Sequence, residues 1–377
     1  VSGNNITSES PFDWDYEAIG SLNSRKSMTL VAKNNIFMPT INVDDGRYSS
    51  WGQPQSNDIN NLNVTAKNIK LDSVNVKGNT GLTASNGSSG NITLGNSDLK
   101  GNLTVKASGD MTLNKNLIAG GDVSINANNL LSGLSAGQYP WLPKQLSSLT
   151  GKNVNVQIDN DIKLGGINAV SDNYYSTKDG NASITANNVT LDRLSAMSKL
   201  TVSAKDNVSI GAFNAQGYSF NSSGNGVVAK INANTVNIDS SNGSTNVEIT
   251  ANNDIHYDKS ANAADTSLTS KNGSVYLGKG GYGDGSNHKT LTINAANKVD
   301  IKDQLYVFGD LSVTAGKPVI SLPSELRIYG NTAFTTPGDI TSSAYYVDHV
   351  FYNNLTYTLS KDSKITAYNP YSKPWVY

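Results

Sequence analysis

Few side chains in this sequence stand where they could perform chemistry. Asp44 and Asp45 form the one adjacent acidic pair, with Arg47 close by. Two neighbouring carboxylates can act as acid and base in cleaving or eliminating an acidic polysaccharide. That chemistry also calls for further clustered acids, often with a metal and a basic residue. A turn held by a local ion pair is the preferred reading of this segment. His256, His288 and His349 are the three histidines, and none is spaced with carboxylates as a metal set or with a serine as a triad. There is no cysteine, so thiolate chemistry, cysteine-based zinc sites and disulfide scaffolds are excluded. Gly280-Gly-Tyr-Gly-Asp284 occurs once and is one residue short of the Gly-Gly-x-Gly-x-Asp calcium repeat. The expectation is a chain with no catalytic residue, no metal and no cofactor: not an enzyme.

Aromatic residues are the better candidates. They cluster in Asp45–Trp51 (with Arg47, Tyr48 and Trp51), in 137–143 (Tyr139 and Trp141), in 171–175 (Tyr174 and Tyr175), in 216–220 (Tyr218 and Phe220) and at Tyr282. Flat rings with polar tips, flanked by Gly, Asn and Ser, give contact area at low entropy cost and suit carbohydrate or protein recognition. Any single ring could equally fold back over its own loop.

The elements that position these loops are a repeat. Leu-Asn-Val-Thr-Ala-Lys-Asn-Ile-Lys-Leu (62–71), 103–113 and 247–257 are versions of one phrase: an alternating apolar strand, an Ala, one to three polar or Gly residues, and a second short strand. The Ala falls at positions 32, 66, 84, 107, 127, 186, 204, 233, 251, 295 and 315, with Ile158 and Ser270 in its place in two degenerate copies. That makes 13 copies. The shortest steps, such as Ala66 to Ala84 and Ala107 to Ala127, set the repeat length, and longer steps carry insertions. A floor of roughly 18–20 residues is the mark of a stacked repeat. Period-two alternation buries one face and wets the other. A unit this short cannot hold a crossover helix, but it holds three short strands and three corners. Stacking such units gives an all-β fold, a right-handed parallel β-helix of about 13 rungs at about 4.8 Å per rung. Tyr48 follows Ala32, Tyr139 follows Ala127, Tyr174 follows Ile158, Tyr218 follows Ala204 and Tyr282 follows Ser270, each at a similar distance along the chain. The near-common offset predicts one shared flank, with Tyr139, Tyr174 and Tyr218 as the central site. Val105, Ile125, Ile184, Val202, Ile231, Ile249 and Ile293 are expected to point inward together.

The expected organisation is 1–27 as an N-terminal cap or preceding rung, 28–322 as the β-helix, and 323–377 as an aromatic-rich C-terminal cap or irregular rungs. Charged residues make up 16% of the chain and the net charge is −1, against a usual quarter or so charged. No field is available for nucleic acid or an anionic membrane. No run of 18 apolar residues is present, so no membrane-spanning segment is expected. The chain opens on Val1 without a signal peptide, the pattern of a mature product or excised fragment. Twelve Asn-x-Ser/Thr sites, Asn63, Asn91, Asn102, Asn188, Asn207 and Asn354 among them, are about what chance gives in this composition.

Asn-Ile-Thr-Leu (91–94), Asn-Val-Thr-Leu (188–191), Val-Ser-Ile-Asn-Ala-Asn (123–128) and 200–210 resemble the passenger repeats of two-partner-secretion exoproteins, the filamentous-haemagglutinin-like and high-molecular-weight adhesins of Gram-negative bacteria. The resemblance covers roughly 28–322. It implies a right-handed β-helix, export through an outer-membrane transporter partner, extracellular display on the bacterial surface, and adhesion to a host glycan or receptor. The family's amino-terminal secretion motifs have no counterpart here, and no family binding residue can be carried over. Three functions remain in order of preference: an adhesin segment binding through aromatic loops, a structural stalk of a large exoprotein, and a polysaccharide-degrading β-helix enzyme or phage tailspike.

Overall fold

The computed structural model describes residues 1–7, 20–43, 60–85, 89–134, 146–170, 179–215, 228–243, 246–262, 264–283, 288–317, 319–342 and 347–367. Among them there are strands, turns and corners but no helix. The protein is a parallel β-helix. It divides into two compact units, Val1–Met197 and Ser198–Tyr377.

In Val1–Met197 the first strand of each turn carries the apolar phrase. Leu30, Val64, Leu82, Val105, Ile125, Val156 and Ile184 are register partners from turn to turn. Each is 1% exposed or less. The marker stacks as well: Ala66 on Ala84 on Ala107, and Ala127 on Ile158. The remaining two strands of a turn are often one bent strand, as in Asn68–Val76, whose pairing skips residue 72 without a change of register. Ser2–Thr7 and Ser21–Ser24 pair in parallel with Met28–Val43, so residues before the repeat contribute a preceding turn.

Ser198–Tyr377 repeats the arrangement. Val202, Ile231, Ile249, Leu268, Ile293, Val313 and Phe334 form its inward column, each 1% exposed or less. Ser270 takes the marker position between Ala251 and Ala295. The coil continues past 322: Thr332–Thr336 pairs with Leu311–Ala315 and with Leu355–Leu359. Burying one such Leu or Ile is worth about 1.5–3 kcal/mol, and the column repeats it every turn.

The corners are held by asparagine and aspartate. In Val1–Met197 the backbone N–H of Asn79 donates to Asn61 Oδ1 (2.7 Å), that of Asn102 to Asn79 Oδ1 (2.9 Å) and that of Asp122 to Asn102 Oδ1 (2.8 Å). Asn153 Nδ2 then donates to Asp122 Oδ1 at 2.9 Å. A second ladder runs Asn35, Asn68, Asn91, Asp110, Asn129, Asp161, Asn188. Each step meets a corner polar group that has no strand partner. The preceding residue is often glycine because the ladder passes close: a Cβ on Gly121 would lie 2.2 Å from Asn102 Oδ1. This grammar also explains several of the Asn-x-Thr sites. In Asn91-Ile-Thr the Asn holds the corner, Ile92 is buried and Thr93 is half-buried on the outward face.

Candidate functional surface

Arg47, Tyr48, Trp51, Tyr139, Trp141, Tyr174, Tyr175, Tyr218 and Phe220 lie outside the described residues, as do Asp44 and Asp45. The flanking strands nevertheless fix where each insertion joins the coil. In Val1–Met197, residues 44–59 follow Val43 and residues 171–178 follow Ala169; both leave at the corner between the third strand of one turn and the first of the next. Residues 135–145 join elsewhere. Leu130–Ser132 pairs with 162–163 and Ser148–Gly151 with 166–169, so this insertion separates a second strand from a third. An offset counted to the first aromatic does not see where the last strand ends. Past the markers Ala32 and Ile158 the chain runs through two strands, to Val43 and Ala169, before the insertion opens; past Ala127 it runs through one, to Ser132. The segments carrying Tyr139 and Tyr174 therefore leave from different corners. In Ser198–Tyr377, 216–227 and 284–287 both join at the third-to-first corner.

Tyr282 is a correction. It is fully buried, not a surface ring. It is the last residue of the strand Val275–Tyr282, in register with Asn262 and Val307, and the insertion begins after it. Its hydroxyl accepts a 2.7 Å hydrogen bond from Ser260 Oγ inside the coil. Burial pushes its phenol well above the usual range, with nearby Tyr257 adding to the effect and the Ser260 bond opposing it. Gly280 makes room for it: a Cβ there would lie 3.0 Å from the Tyr282 ring and 2.8 Å from Ser260 Oγ.

A different surface emerges in Ser198–Tyr377, on the outward face of the third strands Gln304–Val307, Glu325–Ile328 and Asp348–Phe351. Register places Gln304, Glu325 and Asp348 in one column and Tyr306, Arg327 and Val350 in the next. Glu325 accepts from Gln304 Nε2 at 2.7 Å and from the Tyr306 hydroxyl. Arg327 reaches Glu325 at 3.2 Å and Asp348 at 2.9 Å, and its guanidinium lies 6.0 Å from the centre of the Tyr306 ring. The bond to Glu325 is the main reason the Tyr306 phenol sits above its ordinary range. Arg327 thus neutralises two carboxylates that would otherwise repel.

At the adjoining third-to-first corner, rings replace insertions. Phe308 stacks on Tyr329 (4.6 Å between centres, 2° between planes) and Tyr329 on Tyr352 (4.4 Å, 6°). Tyr352 closes the stack at 54% exposed. Tyr329 lies between the other two rings, and it and Phe308 are half-buried. On the second-strand face, His256 stacks on Tyr276 (4.4 Å) with the Lys298 ammonium over the same ring at 4.8 Å. Among the described residues no group of three or more His, Asp or Glu could hold a metal ion.

Tyr329 and Tyr352 stand out in the sequence as part of an aromatic crowd; Tyr306, Phe308, Glu325 and Arg327 do not. The signal is register: 304, 325 and 348, like 308, 329 and 352, are one turn apart each time.

A family model described as repeats of unknown function (DUF5649) matches residues 86–132. This stretch holds Gly90-Asn91, Gly101-Asn102, Gly109-Asp110 and Gly121-Asp122, four Gly-Asx corners of the ladders described above. No curated protein and no solved structure matches the chain.

Proposed function

We propose that this chain is a segment of a secreted exoprotein displayed on a Gram-negative surface, exported through an outer-membrane transporter, that binds a host glycan or receptor. The observation that carries the reading is the cluster on 304–352. Its ring stack ends in Tyr352, which is more than half exposed, beside hydrogen-bonding groups held by Arg327. Aromatic rings with fixed polar neighbours on rigid strands are how proteins grip sugars and flat polar surfaces. The passenger-like phrases over 28–322 support the secretion route, and the low charge argues against nucleic acid and membrane partners. No catalytic role is assigned: Glu325 and Asp348 are both engaged by Arg327 rather than poised as an acid and base.

The competing reading is a stalk, and the uncharged Ser, Thr and Asn rows on the outward faces favour it. The two are separated by binding of the purified chain to a printed glycan array and to host cells, with Arg327→Ala/Tyr352→Ala as comparison. An adhesin gives saturable binding that the double variant weakens; a stalk gives none.

A further inference from the structure

One place in Ser198–Tyr377 breaks a local rule of sheet structure. Lys259 and Lys279 are direct register partners on neighbouring parallel strands, and both are exposed. Their backbones are about 4.8 Å apart by strand spacing, and like charges directly opposite destabilise a sheet. The same unit resolves other charged pairs internally. Lys230 meets its partner Glu248 at 2.9 Å, and Glu325 and Asp348 share Arg327. Among the described residues, no carboxylate lies within 4.0 Å of either the Lys259 or the Lys279 ammonium. Sequences keep such uncompensated local conflicts at functional sites.

The neighbouring column completes the geometry. Asn242, Ala261, Gly281 and Tyr306 follow one another in register on the same outward face. Ala261 and Gly281 make a low floor beside the lysines, closed at one end by the Tyr306 ring. That ring is held by its hydroxyl bond to Glu325. Glycine at 281 is not required by the fold. It has no positive φ, and a Cβ built on it meets nothing within 4 Å. Gly280, by contrast, has no room for one. Arg327 is committed to two carboxylates, which leaves the lysine pair to receive an anion on this face.

We propose that Lys259 and Lys279 bind the oxyanion, carboxylate or sulfate, of an acidic polysaccharide whose sugar ring lies on the Ala261/Gly281 floor against Tyr306. The assignment rests on the glycan-binding reading above and names its ligand class. An oxyanion between two ammonium groups removes their repulsion and accepts charge-assisted hydrogen bonds from both. The floor and the Tyr306 ring contribute the apolar contact that a sugar face offers.

The test measures binding of the purified chain to three immobilised probes: heparin, polygalacturonate and dextran. They present sulfate with carboxylate, carboxylate alone, and neither. Binding to heparin or polygalacturonate is expected, weaker at about 200 mM than at about 50 mM salt because screening shortens the reach of exposed charges. Binding to heparin alone identifies sulfate, and binding to both identifies carboxylate. Lys259→Gln/Lys279→Gln lowers that affinity roughly tenfold or more, from the loss of two charged hydrogen bonds. Gly281→Thr fills the floor, keeps the thermal midpoint of the parent and lowers the same affinity. Lys106→Gln/Lys163→Gln removes equal charge from the other unit and binds like the parent. The proposal is overturned if the lysine pair or the floor variant binds like the parent, or if the control pair weakens binding equally. Binding to dextran alone overturns it and upholds glycan binding. Failure of all three probes also overturns it, and binding to other glycans on the array would then still uphold the reading it rests on.

Discussion

Ser260 Oγ donates a 2.7 Å hydrogen bond to the hydroxyl of Tyr282, and both side chains are buried in the coil. Ser260→Ala strands the phenol without that partner. The expected loss is about 1–3 kcal/mol, the cost of a buried polar group left unpaired. Ser260→Ala/Tyr282→Phe removes both partners and recovers most of it. Urea midpoints of the two variants check the difference.

Gly280 and Gly281 are neighbours in sequence with opposite tolerance. Gly280→Ala pushes a methyl against Ser260, Leu305 and the Tyr282 ring. It is expected to destabilise by about 1–3 kcal/mol, as overpacking does. Gly281→Ala meets open space and leaves the thermal midpoint unchanged or slightly raised. Equal midpoints for the two variants would contradict the placement of Tyr282.

His349 stands in an inward column opposite Leu326, with Nε2–H donating to the Pro323 carbonyl at 2.7 Å. Burial holds its pKa below the ordinary value; the Pro323 bond and Asp348 oppose the shift. The folded state therefore takes up the proton less readily than the unfolded chain. The stability contribution is complete above the unfolded value of about 6.5 and is lost as pH falls through the lowered folded value. Midpoints measured between about pH 8 and pH 5, above most carboxylate titration, should fall with acid. His349→Leu, matching the Leu326 column, should flatten that slope.

Ile249 is 1% exposed between Ile231 and Leu268. Ile249→Asp places an unpaired charge inside the coil and is expected to cost roughly 4 kcal/mol or more. Thr250→Asp, on the outward face next door, should change stability by no more than about 0.5 kcal/mol. Circular dichroism melts of the pair test the register.

The fold is legible because it depends on period and alternation, which a linear sequence displays directly. Markers as degenerate as Ile158 and Ser270 fall on their columns because the inward phase of the position, not the identity of the side chain, is what the alternation sets. Tyr282 misleads because it sits next to a Gly-rich insertion. Whether it precedes or belongs to the loop depends on a strand end that glycine obscures. The corner ladders are visible only as an abundance of Asn and Gly. The Tyr306, Glu325, Arg327 and Asp348 cluster is not visible at all, because its strands lie a full turn of the coil apart in sequence and meet only when consecutive turns are laid in register.

Ligand recognition by the face built by residues 304–352 can be tested by binding. The most direct measurement is glycan-array and host-cell binding by the parent chain beside Arg327→Ala/Tyr352→Ala, with both shown by circular dichroism to keep the β-helix. Saturable binding by the parent is expected, with a loss of roughly tenfold or more in the variant, from one lost stacking ring and from the freed Glu325 and Asp348 carboxylates that Arg327 holds in place. Equal binding by the two proteins, or no binding by a folded parent, would contradict it.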